Sequence, residues 1–412
     1  MSYLKAPLEG PQDDPLTGHS NSWESREIAR ILQRMGFAVD AIDWTDNTFQ
    51  PRRNTAAVID IFDNLKRLNP ALSPDARRLF HITGGYPPFN AEQERKRARE
   101  FENRTGMPYA PKRIGPMDGI LQSIDLADHC SLLGNAQTLK TFPPKLQAKI
   151  TLIPASGSIL SHYRQPGEMA PAAREFLWFG GPGAVHKGLD LVLDVFARRR
   201  ELTLHVAGAP NREPDFMAAY HAKLSGPNVR NHGWIDPLSD FHRLFKDVFC
   251  FIAPCCSEGN STAVITCLHA GLLPIVSRPS GVDLPPGHGF ILEALTETEI
   301  ESCIDKALAL NDEAVIGHAS ACQAQALRQH SREAFSRQMA AYLEKALAGC
   351  ERKTALELNF EEASDLRDQL QASAGRMAYR LRRSLRIRTR LKKLVGGLMR
   401  KPNKLAGPPE AR

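Results

Sequence analysis

No stretch of the 412-residue chain approaches 18 uninterrupted apolar residues, which excludes an ordinary membrane-spanning helix. The opening Met1-Ser2-Tyr3-Leu4-Lys5-Ala6-Pro7 lacks the apolar core of a secretory signal, so the expected compartment is the cytoplasm. The eight cysteines make no Cys-x-x-Cys pair and no grouping with histidine at metal-ligand spacing; Cys255 and Cys256 are adjacent, and reduced, buried thiols are the expectation. No Gly-Lys-Ser/Thr is present for a Walker loop, and no Asp-x-Asp stands in a convincing place. Neither a metal nor a cofactor is therefore expected. Paired acid and base carboxylates, which an epimerase or hydrolase would need, cannot be placed.

What is present is ordinary in amount and uneven in distribution. Apolar residues make up 42% of the chain and charged residues 24%, as in soluble globular proteins, and the length suits two domains. The net charge of +7 is concentrated at one end: from Gly375 to Arg412 there are 13 Lys/Arg against Glu410 alone, whereas the rest carries 40 basic and 45 acidic residues. A mildly acidic globular part thus precedes a strongly basic tail.

Along the globular part, short apolar runs alternate with helical patterns, the rhythm of an α/β fold with parallel sheets. Strands are expected at Phe37–Trp44, Ala56–Phe62, Arg78–Gly85, His129–Asn135 and Lys149–Pro154. A helix follows Ser22 and Ser25, which are expected to cap it, and a charged helix runs from about Ala91 to Arg104. After a polar linker, further strands fall at Phe176–Phe179, Leu202–Gly208 and Asn228–Ile235, before helices from Glu297 to Leu347. These shifts divide the chain into 1–165, 166–347 and a helical, basic tail at 348–412. The most informative stretch is 249–277. Phe249–Ala253 reads as a strand, Pro254 ends it, Ser257-Glu258-Gly259-Asn260-Ser261-Thr262 is a polar turn, and a helix and a second strand follow. Glu258 then stands at the carboxyl end of a strand, where open α/β sheets bind ligands, beside a helix start that favours an anion. Earlier, Gly180-Gly181-Pro182-Gly183 followed by Lys187-Gly188 joins close backbone approach to a point charge, a combination suited to a diphosphate.

Ser257-Glu258-Gly259, the helix after it and Ala270-Gly271-Leu272-Leu273-Pro274-Ile275-Val276 resemble the donor-site signature of family 4 glycosyltransferases. The resemblance covers about residues 17–345 and implies the GT-B fold, two Rossmann-like domains facing across a cleft. It implies a retaining transferase that moves a sugar from a nucleotide sugar to an acceptor hydroxyl, without a dedicated protein base. Glu258 would contact the transferred sugar, Lys187 would grip the diphosphate, and Gly180, Gly181, Gly208, Asn260, Ser261 and Thr262 would line the donor site, amides of the Gly180–Gly183 loop included. The chain departs from the pattern twice. Thr266 replaces the second glutamate, which holds the ribose, and Gly181 stands where an arginine is usual. His19 and Asn21, in a loop resembling a bacterial subgroup, would touch acceptor or donor phosphate; turn hydrogen bonds are the alternative. His81 is a catalytic candidate by position, and a core or loop-bracing histidine is the alternative.

In the tail, Thr354 to Leu370 resembles a UVR motif, a protein-docking helical hairpin, or is simply an amphipathic helix. Arg376 to Lys401 interleaves basic residues with Leu, Ile and Val at helical spacing, the composition of a membrane-surface anchor. Nucleic acid is disfavoured, because Tyr379 is the one aromatic there to stack on a base. The expected partners are a nucleotide-sugar donor, a glycan or lipid-linked acceptor and the inner face of the cell membrane. Cell-surface polysaccharide synthesis is the expected setting. The rival reading is a non-catalytic, degenerate GT-B protein that binds nucleotide sugar or serves in assembly.

Overall fold

The computed structural model describes residues 1–11, 14, 19–51, 55–158, 160, 163–168, 174–236 and 248–351. Within it, 1–35 and 39–351 form one compact unit. The UVR-like stretch and the basic amphipathic stretch lie outside the described residues.

β1 (Ser2–Tyr3), β2 (Ile42–Asp43), β3 (Ala57–Asp60), β4 (Arg77–Ile82), β5 (His129–Leu133) and β6 (Ile150–Ile153) form a sheet in the order β2-β1-β3-β4-β5-β6. β7 (Glu175–Phe179), β8 (Leu204–Ala207), β9 (Val229–Gly233), β10 (Val248–Ala253), β11 (Leu273–Ser277) and β12 (Phe290–Leu292) form a second, in the order β12-β11-β10-β7-β8-β9. Every pairing is parallel. The expected α/β architecture of two parallel sheets is thus the observed one. Its central strands read as unbroken apolar runs because both faces of each sheet are covered. The strand expected at Phe37–Trp44 shrinks to Ile42–Asp43, since its sole neighbour among the described residues is the two-residue β1.

The helices that position the site are α1 (Ser20–Arg34), α2 (Pro87–Thr105), α3 (Asp118–Leu126), α4 (Leu189–Arg198), α5 (Pro214–Leu224), α6 (Thr262–His269), α7 (Glu297–Leu308), α8 (Asp312–Gln329) and α9 (Arg332–Ala346). α1 buries Ile28, Ile31 and Leu32, as its periodicity predicts. Its N-cap is His19, however, because the helix begins at Ser20 and leaves Ser22 and Ser25 inside its first turns. Ser25 instead bonds the backbone of Leu4 through both its donor and its acceptor.

Each sheet has its own core. Val58, Phe80, Ile82, Cys130 and Leu132 fill the first; Phe176, Trp178, Val206, Ile252 and Ile275 fill the second. Two helices tie the sheets together. α9 packs on α1 and β6. α2, which follows β4 in the chain, puts Ala98 and Phe101 into the core of the second sheet, with Tyr109 just beyond it.

A buried ion network fixes α2 there. Arg97 Nη2 donates to both oxygens of Asp190 on α4, at 3.0 and 2.8 Å, and Asp190 is fully buried. Arg104 pairs with Asp190 and Asp194, and the Tyr220 hydroxyl donates to Asp194 Oδ2 at 2.8 Å. Arg97 and Arg104 of the charged helix expected from sequence thus meet acids of α4. Removing one member of such a group strands a buried charge. Asp190→Ala should lose about 3–5 kcal/mol in urea unfolding, while Lys96→Ala, whose pair with Glu100 is solvent-exposed, should lose less than about 1 kcal/mol.

Candidate active site

At the end of β10 the backbone turns sharply to present residue 258. Gly188, at φ +69°, precedes α4, and a Cβ there would lie 2.5 Å from the Pro254 carbonyl oxygen, so the loop before α4 and the turn after β10 meet only across a glycine. His186 then clamps the turn from both its backbone and its ring. Its carbonyl accepts from Cys256 N–H at 3.0 Å, and its Nε2 lies 2.6 Å from the Ser257 carbonyl oxygen. A carbonyl only accepts, so Nε2 carries the proton and Nδ1 is left to accept from the Cys256 thiol at 3.4 Å. The Trp178 indole donates to the Lys187 carbonyl at 3.1 Å and holds the next residue of the same loop.

The result is a compact charged group. Glu258 Oε1 receives Lys187 Nζ at 2.5 Å and Arg113 Nη1 at 2.7 Å, with His186 Nε2 at 3.7 Å. The Glu258 side chain is 10% exposed, and burial pushes its pKa up; Arg113 and Lys187 outweigh burial and hold it well below the usual carboxylate range. Two cations against one carboxylate leave a positive centre. Helices and loops of the first half contribute to it from several points. Glu94 Oε1 accepts from the backbone amides of Lys112 and Arg113, at 2.7 and 2.9 Å. A Cβ at Gly259 would come within 2.9 Å of the Thr83 carbonyl oxygen and 3.0 Å of Gly84 Cα, and Thr138 donates to the Gly259 carbonyl at 2.9 Å. Asn135 Nδ2 also reaches Asp283 Oδ1 at 2.7 Å.

Of the residues singled out in the sequence, Glu258 and Lys187 come together, and His19 lies within reach of their charges. His19 accepts from Asn21 N–H at 3.3 Å, and it titrates below its ordinary range because of desolvation, with Lys187 and Arg113 adding to the effect. The other candidates have partners of their own. Gly180 N–H donates to Ala207 and Gly208 N–H to Gly233. Gly183 and Ala184 do not offer free amides to an anion, because both donate to Glu213 Oε1, at 2.7 and 3.0 Å. A Cβ at Gly181 has no atom within 4 Å. Asn260 bridges Ala155 N–H and the Gly281 carbonyl, while Ser261 N–H donates to Ser280 at 2.9 Å and Thr262 opens α6. Thr266 is fully buried, and its hydroxyl donates to the Thr262 carbonyl at 2.7 Å. His81 is 1% exposed in the core of the first sheet, with Nδ1 2.8 Å from Ser131 Oγ and its ring edge-on to Tyr3; burial pushes its pKa down to about 4.

Arg113 was not singled out from sequence. It lies between α2 and α3 in a segment without apolar periodicity, and its carboxylate partner is 145 residues away. Glu213 escaped for the same reason: it reads as a polar residue before Pro214, whereas the fold sets it on two amides of a distant loop.

Residues 173–309 match the sequence model of the family described as Glycosyl transferases group 1. No curated protein matches the chain by sequence. Among solved structures, a glycosyltransferase from Rickettsia africae ESF-5 is similar at TM-score 0.54 and 12% identity, over 81% of this chain and 97% of that one. Sucrose-phosphate synthase from Thermosynechococcus elongatus is similar at 0.54 and 14%, over 80% and 94%. Alr3699/HepE of Anabaena, in complex with UDP and glucose, is similar at 0.53 and 13%, over 78% and 95%. The shared architecture is the GT-B fold. Identities this low speak to the fold alone.

Since two cations depress the Glu258 pKa against burial, removing one should raise it. Lys187→Met should move the Glu258 midpoint upward in a carboxyl-carbon NMR titration. A depressed carboxylate stabilises the fold above its unfolded pKa and loses that contribution as pH falls through its folded pKa, so the variant should also lose stability at higher pH on acidification than the native chain does.

Proposed function

We propose that the protein is a retaining glycosyltransferase of family 4 type that transfers a hexose from a nucleotide sugar to an acceptor hydroxyl in cell-surface glycan synthesis. The observation that carries the reading is the Lys187–Glu258–Arg113 group at the carboxyl end of β10, which is net positive. The family match over 173–309 and the UDP and glucose held by the Anabaena protein support the same chemistry.

In this reading Lys187 stabilises the charge that grows on the departing diphosphate. Glu258 Oε2, which has no hydrogen-bond partner among the described residues, faces the transferred sugar as an ionised acceptor for its hydroxyls. The bond from the anomeric carbon to the phosphate oxygen breaks, a bond to the acceptor oxygen forms on the same face, and the acceptor's proton passes to the leaving phosphate. No protein base is assigned and no metal is invoked. A glycan or lipid-linked acceptor, met at the inner face of the membrane through the basic residues 376–401, fits the charge of the tail. No described helix is long and apolar enough to cross a membrane.

A non-catalytic donor-binding protein is the second reading, favoured by the buried Thr266 hydroxyl and by the Gly183 and Ala184 amides already held by Glu213. The full-length chain should be screened by thermal shift against UDP-, GDP-, ADP- and dTDP-sugars, beside Lys187→Ala and Glu258→Ala. A donor at about a hundredfold over its dissociation constant should add about 2.7 kcal/mol, raise Tm, and do so less in Lys187→Ala. A flat response to every donor would overturn the donor-site reading. Binding without release of nucleoside diphosphate, with or without acceptor sugars, would favour the second.

A further inference from the structure

Among the described residues bonded to Glu258, Arg113 comes from the first half of the chain, and the geometry fits it for more than a salt bridge. Its stem lies over the Gly-rich loop: a Cβ at Gly183 would sit 3.0 Å from Arg113 Cδ and 3.4 Å from Cγ. Its guanidinium reaches the same Glu258 oxygen that receives Lys187. Among the described residues Nη1 alone of the guanidinium is bonded, and the side chain is 39% exposed, so donors remain for a ligand. The mount is rigid. Glu94 holds its backbone amide, Tyr109 donates to Glu213 Oε2 at 3.0 Å, and Glu213 in turn holds the loop that Arg113 crosses. In that loop Gly181 leaves open space where a side chain would project.

We propose that Arg113 is the second diphosphate cation of the donor site, delivered across the cleft to do the work of a side chain that Gly181 cannot supply. The proposal rests on the donor-site reading above. With no donor bound, Glu258 serves as counter-ion to both cations. When a nucleoside diphosphate enters, its phosphate oxygens accept from Arg113 and Lys187, and Glu258 is released toward the sugar. No bond is made or broken in this exchange.

The test is calorimetric titration of the full-length chain with UDP, GDP, ADP and inorganic pyrophosphate. Arg113→Ala should weaken the diphosphate that the native chain binds by about tenfold to a hundredfold, the loss of a charge-assisted contact. Gly181→Arg placed in the Arg113→Ala chain should restore affinity to within about threefold, because Gly181 has neither a positive φ nor an atom near its missing Cβ. Arg113→Gln, which keeps the stem over Gly183, should be as weak as Arg113→Ala if charge rather than packing matters. Native binding that Arg113→Ala leaves unchanged overturns the inference and spares the donor site. A loss that Gly181→Arg fails to recover makes Arg113 a brace for Glu258 and overturns it too. If the native chain binds none of the four probes, the donor-site reading falls and takes this inference with it.

Discussion

A carboxylate with only a tenth of its surface in water stays ionised when cations are brought to it, and around Glu258 that requirement orders much of the molecule. Lys187 comes from its own lobe, seated by the Trp178 indole and by the tight loop at Gly188. Arg113 comes from the other half, so it needs α2 docked on the second core and Glu94 turned onto its backbone. Docking in turn needs Asp190 to compensate Arg97 and Arg104. A charge buried on α4 is thereby linked, through one helix and one loop, to the charge balance at the end of β10.

His186 adds a second layer to the same constraint. Its ring and its carbonyl grip Cys256 and Ser257, the two residues before Glu258, so the carboxylate is aimed by backbone as well as by ion pairs. The turn that carries Glu258 is therefore held from its front by Lys187 and Arg113 and from behind by His186.

What could be read from the sequence was what is local. The strand, turn and helix around Glu258 and the Lys187-Gly188 pair are written in consecutive residues, and parallel strands covered on both faces announce themselves as apolar runs. Hydrogen-bond satisfaction is not local. Nothing near Gly183 predicts that Glu213, 30 residues on, will take its amide; the Thr266 hydroxyl, by contrast, makes the local bond of a helical threonine to the carbonyl four residues back. α5, for which no helix was expected, did carry one signal, the Pro214 at its start. His81 shows the same limit from the other side, since its position at a strand end is legible whereas the Tyr3 and Ser131 that enclose it are not.

The placement of α2 also sets an order of events during synthesis. Ala98 and Phe101 are translated with the first sheet, yet the core they complete includes Tyr220 and Leu224. Arg104 and its contact Tyr220 are separated by 116 residues, which at roughly 5–20 residues per second is a wait of about 6–23 seconds on the ribosome. During that interval the apolar face of α2 has Tyr109 against Phe101, and the rest of the core it completes has still to be translated.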